Sequence, residues 1–104
     1  MPVITVSQLN NYMKRFVDGN IHLTGLWIKG EISNCKQHYS GHIYLTLKDS
    51  LSVLKVIMFR SYCEKLKFRP ENGMRVMIFG NVSVFERDGI YQLYAEKIIP
   101  DGVG

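Results

Sequence analysis

No apolar run in this sequence approaches the roughly 18 residues that a membrane-spanning helix needs. The opening Met1-Pro2-Val3-Ile4-Thr5-Val6 has neither the basic stretch nor the cleavage site of a secretory leader. The cytoplasm is therefore the expected compartment, and a membrane is not an expected partner. Cysteine is scarce: Cys35 and Cys63 are the only two, and in a reducing compartment they read as free thiols rather than a disulfide. Internal repeats and low-complexity tracts are missing. So are a phosphate-cradling glycine loop and a G-x-S-x-G nucleophile elbow. Acidic residues number nine, and Glu31, Asp49, Glu64, Glu71, Glu86 and Glu96 are scattered without the paired spacing of a metal-carboxylate centre. His42 near Ser40 is too little for a nucleophile and its base. No catalytic residue and no cofactor is expected in this chain.

One metal possibility has to be weighed. Cys35-x2-His38-x3-His42, with Cys63 as a fourth ligand, offers donor types that zinc accepts. A structural zinc site normally brings close ligand pairs from both sides, and here the second half is one cysteine with no near partner. The expectation is no metal.

What the chain does have is 104 residues, enough for one domain, with 46% hydrophobic residues and a net charge of +4 at a sequence pI near 9.2. The charge favours a polyanionic partner without naming it. Ser7 can cap a first helix, although Asn10 at its third position leaves the capping box incomplete. Leu9, Tyr12, Met13, Phe16 and Val17 recur at helical spacing, which reads as a face packed on the rest of the fold, and Gly19 is a stop. The period then falls to two. Strands are expected over about 25–34, then around Ile43, Leu45 and Leu47, then over 52–60. A short helical connection falls within 61–68 and the Pro70-Glu71-Asn72-Gly73 breaker follows. Two further strands, 74–85 and 90–99, are joined through Arg87-Asp88-Gly89. A leading helix and five strands with one connection after the third match a five-stranded OB barrel, an all-β fold with little helix, and are too few for a sandwich. Gly30 and Gly80 lie inside long strands, where so small a barrel must bend. The expected division is a helical extension over 1–20, the barrel over 21–100 and the start of a linker over 101–104.

If Ile43, Leu45 and Leu47 face the core, then His42, Tyr44, Thr46 and Lys48 face out. Tyr44 can stack on a base, and Lys48 and Lys55 can meet phosphates. Trp27 and Lys29 repeat the aromatic-cation pairing on the first strand. Phe59 is either a second stacking platform or, through a bulge, a core residue. Arg60 is a phosphate contact. OB barrels bind along strands two and three between two loops. This adds the 35–41 loop and the last hairpin, where Arg87 and Tyr91 lie. The expected partner is single-stranded nucleic acid. An RNA-binding barrel of the anticodon-reading kind and a protein-interaction barrel remain alternatives.

Val6-Ser7-Gln8-Leu9-Asn10, Gly30-Glu31-Ile32-Ser33-Asn34, Ser40 to Asp49, Met58-Phe59-Arg60, Gly73-Met74-Arg75-Val76, Val84-Phe85-Glu86-Arg87 and Tyr91-Gln92-Leu93 occur in that order. In these segments the sequence resembles the N-terminal domain of the bacterial exodeoxyribonuclease VII large subunit. The resemblance implies an OB-fold that binds single-stranded DNA. The catalytic domain and the region that binds the small subunit would lie beyond this chain, and the holoenzyme would degrade single-stranded DNA from either end.

Overall fold

The computed structural model describes residues 1–101, so all but the first residue of the linker expected over 101–104 lies outside the described residues. Helix α1 (Val6–Asp18) leads into a short 3-10 turn (Ile21–Leu23). Strands β1 (Leu26–Gln37), β2 (Ile43–Lys48) and β3 (Val53–Met58) follow, then the one-turn helix α2 (Arg60–Cys63), β4 (Arg75–Phe85) and β5 (Ile90–Pro100). The strands close into a barrel in the order β1-β2-β3-β5-β4. All neighbours are antiparallel except β3 and β5, which run parallel and share only the pairs Val56–Leu93 and Ile57–Tyr94. That is the expected OB architecture.

Strict alternation puts one face of each strand inside. On β2, Ile43, Leu45 and Leu47 are buried while Tyr44 and Lys48 are exposed. Ile32, Met58, Val76, Ile78 and Leu93 are almost wholly withdrawn from water at the centre of the core. β1 is long because it serves two partners: Leu26 to Glu31 pair with β4, and Glu31 to Gln37 pair with β2. Two glycines permit the close packing. A Cβ on Gly30 would come within 2.8 Å of Leu47 Cγ and the Lys48 carbonyl oxygen, and one on Gly80 would run into the Tyr94 carbonyl on β5. Tyr62, Leu66, Phe68 and Met74, from the segment after β3, pack against the core.

The first helix departs from the sequence expectation in two ways. Its cap is Thr5, not Ser7. Thr5 Oγ1 accepts from the Gln8 N–H (3.1 Å) and Gln8 Oε1 accepts from the Thr5 N–H (2.9 Å), so the capping box is complete two residues earlier than expected. Its apolar stripe also does not face the barrel squarely. Val17 is half-buried, but Leu9, Tyr12 and Phe16 stay exposed. Polar pins set this rotation. Asn10 Nδ2 donates to the Glu86 carbonyl (2.8 Å), and Ser83 Oγ donates to Asp18 Oδ1. Lys14 Nζ reaches both Asp18 and Ser83. These bonds turn the Asn10–Lys14–Val17 edge toward β4 and leave an apolar cleft of about 500 Å³ beneath the helix. No helix among the described residues is long and apolar enough to cross a membrane.

Candidate nucleic-acid interface

The register across β1, β2, β3 and β5 builds one outward row. Lys36 pairs with Tyr44, Tyr44 with Ile57, and Ile57 with Tyr94. Their chain neighbours Leu45, Val56 and Leu93 belong to the core, so the row itself faces away from it. Ile57 is nonetheless buried, flanked in the row by two tyrosines.

Phe59 is not in the core, and it is not on a strand. β3 ends at Met58, and Phe59 stands in extended backbone at the N-cap of α2. Its ring stacks on Tyr94 with centroids 5.9 Å apart and planes at 27°, and it remains 40% exposed. Its outward position is set by the helix start, not by strand alternation. His42 meets the Phe59 ring edge-on at 5.2 Å. His42 Nδ1 also accepts the backbone N–H of Arg60 (2.9 Å), which ties the β1–β2 loop to the beginning of α2. His38 lies edge-on to Tyr44 at 6.2 Å and packs against Tyr39 at 4.1 Å, so the loop extends the aromatic surface. Tyr39 is almost fully exposed.

Cations border this surface. Lys55, in register with Thr46, is exposed. Arg60 lies on α2, with its Nε 3.7 Å from Glu64 in an exposed ion pair. Lys48 faces outward as expected but is shared with Glu31 at 3.6 Å. Such exposed pairs are weak, so both cations can be drawn to a phosphate at little cost.

Of the expected site residues, the fold brings His42, Tyr44, Lys48, Lys55, Phe59 and Arg60 onto one side of the barrel. Lys29 lies at the edge of that side, lining one cleft with Glu31 and Lys48. The other three are elsewhere. Trp27 pairs with Phe79 of β4 on a different wall. Arg87 is exposed in the β4–β5 hairpin, next to the Glu86 that α1 holds. Tyr91 pairs with the buried Val84 and lines the cleft beneath α1, turned away from the aromatic row. Sequence reasoning missed Tyr94 and Gln92, whose Nε2 donates to Tyr94 Oη (2.9 Å). The alternation of Leu93 and Ala95 signals that Tyr94 points outward. Only the parallel closure with β3 places it beside Phe59.

The cysteines have other company than a metal. Cys35 Sγ lies 3.5 Å from the Pro70 carbonyl and Cys63 Sγ 3.2 Å from the Met58 carbonyl, and burial pushes both thiols up, so they stay protonated. Among the described residues no group of three or more His, Cys, Asp or Glu side chains is arranged to hold a metal ion.

The resemblance to the exodeoxyribonuclease VII large subunit extends over the chain. It is 57% identical over 102 residues to the exodeoxyribonuclease 7 large subunit of Ruminiclostridium cellulolyticum, covering 98% of this chain and 25% of that protein. It is 52% identical over 101 residues to that of Bacillus subtilis, covering 97% and 22%. The chain thus spans about a quarter of the length of these curated relatives. Among solved structures, a replication protein A heterotrimer bound to single-stranded DNA aligns with a TM-score of 0.62 at 13% identity over 78% of this chain and 60% of that one. Asparaginyl-tRNA synthetase from Pyrococcus horikoshii aligns at 0.55 with 19% identity, over 76% and 20%. Both are likenesses of fold alone. A family model described as the OB-fold nucleic acid binding domain matches residues 4–99, and it is to this family that the chain belongs.

Proposed function

We propose that this domain holds single-stranded DNA across the Tyr44–Tyr94–Phe59 surface and presents it to a nuclease centre elsewhere in the same large subunit. The observation that carries the reading is the Phe59–Tyr94 stack at the β3–β5 junction, bordered by Lys55 and Arg60. Aromatic faces accept any base by stacking, and the cations track the backbone. That combination suits an unpaired strand and gives no purchase on a closed duplex, whose bases are already stacked. The name of the relatives supports the nuclease setting, and the single strand bound by the replication protein supports the ligand. Hydrolysis of DNA by the whole protein and its union with a small subunit are part of the same proposal. Both are assigned to segments outside this chain.

The test is a fluorescence anisotropy titration of the chain with a labelled thymidylate of about 12 nucleotides, within the range one OB barrel covers. Saturable binding that weakens as salt rises is the expected result. A matched RNA strand is then added as competitor. Strong preference for RNA would overturn the DNA assignment, because the 2′-hydroxyl would then be part of what is read. Failure of either strand to bind at low salt would leave the face to a protein partner.

A further inference from the structure

Trp27 and Phe79 lie in register on β1 and β4, with ring centroids 5.2 Å apart and planes at 51°. Lys97 of β5, in register with Phe79, holds its Nζ 5.4 Å from the Phe79 ring centroid. Trp27, the largest side chain in the protein, is left 49% exposed, while Phe79 is half-buried with its ring edge near Gly25. Lys29 follows as the next outward residue on β1, and among the described residues neither Lys29 nor Lys97 is in an ion pair. An exposed tryptophan backed by a phenylalanine and flanked by unpaired cations repeats, on a second wall, the chemistry of the first surface.

The two walls are joined through β5. Tyr94 and Lys97 are three residues apart, no more than about 10 Å along an extended strand. The group between them that would repel a phosphate is Glu96. Its carboxylate accepts from Asn81 Nδ2 (3.0 Å), while Asn81 Oδ1 accepts the Gly25 N–H (2.8 Å), so it is held within a hydrogen-bonded chain.

We propose that the β1–β4–β5 wall is a second stacking site for the same single strand. Trp27 and Phe79 receive a base that has passed Tyr94, and Lys97 meets the adjoining phosphate. This rests on the reading of the first surface, which it extends from a patch to a path around the barrel. It assigns Trp27 and Lys29 to a different part of the ligand from Tyr44.

Trp27 is the only tryptophan, so its emission reports on this wall alone. The chain is titrated with thymidylates of about 4 and about 16 nucleotides, the lower and upper limits for one OB barrel, following anisotropy and tryptophan emission together. The longer strand is expected to quench Trp27 with the same midpoint as the anisotropy change. Lys97→Ala, an exposed change that leaves the core intact, is expected to weaken the longer strand about fivefold more than the shorter. Saturation by anisotropy with silent Trp27 emission and an ineffective Lys97→Ala would overturn the second site and leave the first standing. Absence of any anisotropy change would overturn both.

Discussion

Phe59 and Tyr94 stack at 5.9 Å although one follows the end of β3 and the other sits within β5. Neither ring is placed by the other's strand. The parallel pairing of Ile57 with Tyr94 and the extended turn into α2 bring them together. Replacing either ring by alanine should weaken single-strand binding by about 1–3 kcal/mol, the usual cost of losing one base stack. Because the rings share one platform, the double variant should cost less than the sum. Anisotropy titrations of the two single variants and the double one check this. An additive result would mean that the rings serve separate bases.

Salt separates the cations from the rings. For single strands the logarithm of affinity falls with the logarithm of salt by about 0.7 for each phosphate neutralised. Arg60→Ala should therefore flatten the salt dependence by about that amount, while Phe59→Ala should shift the line without changing its slope. Titrations at several salt concentrations distinguish the two. Arg60→Ala with an unaltered slope would remove Arg60 from the phosphate contacts.

Gly80→Ala should destabilise the barrel by about 1–3 kcal/mol, the common cost of overpacking. The new methyl group would press on the Tyr94 carbonyl and the Ala95 backbone, neither of which can swing aside as a side chain end would. The same displacement moves Tyr94, so DNA binding should weaken along with stability. Denaturant unfolding and anisotropy on one preparation measure both. A variant as stable as the parent would mean that the β4–β5 pairing has slack where its register shifts between Phe79 and Gly80.

The docking of α1 should depend on pH. Lys14, and then the Ser83 hydroxyl, hold the Asp18 carboxyl below the ordinary aspartate range. A lowered folded-state pKa means that its stabilisation is complete above the unfolded-state value and is lost as pH falls through the folded one. Amide exchange protection in α1 should therefore persist at neutral pH and fade in acid below the usual carboxylate range. In Asp18→Asn that acid step should be missing. An unchanged acid step in Asp18→Asn would assign it to another carboxylate.

The sequence carries the barrel plainly because β2 alternates without a break and the punctuation at 49–52, 70–73 and 87–89 separates the strands cleanly. It carries half of the site for the same reason: alternation alone turns Tyr44, Lys48 and Lys55 outward. Phe59 and Tyr94 are different. Their meeting depends on two strands far apart in the chain joining in parallel, and no local period reports that. Trp27 and Tyr91 lie on other walls than Tyr44, a placement that strand-by-strand alternation does not report, because a closed barrel has several outsides. The helix rotation escaped for a related reason. The apolar stripe of α1 was the stronger pattern, yet Asn10, Lys14 and Asp18 set the contact through bonds to residues some 70 positions away.

The β3–β5 junction has a mechanical side. Two residue pairs close the barrel there, against ten between β4 and β5. This is the place at which the cylinder would first split into an open, curled sheet. A strand of DNA lying over Tyr44, Phe59 and Tyr94 crosses that line like a strap across a hinge. Opening the barrel then means peeling off the ligand, and holding the ligand keeps the barrel shut. On the proposed function, loading with a single strand stiffens the domain at its weakest seam.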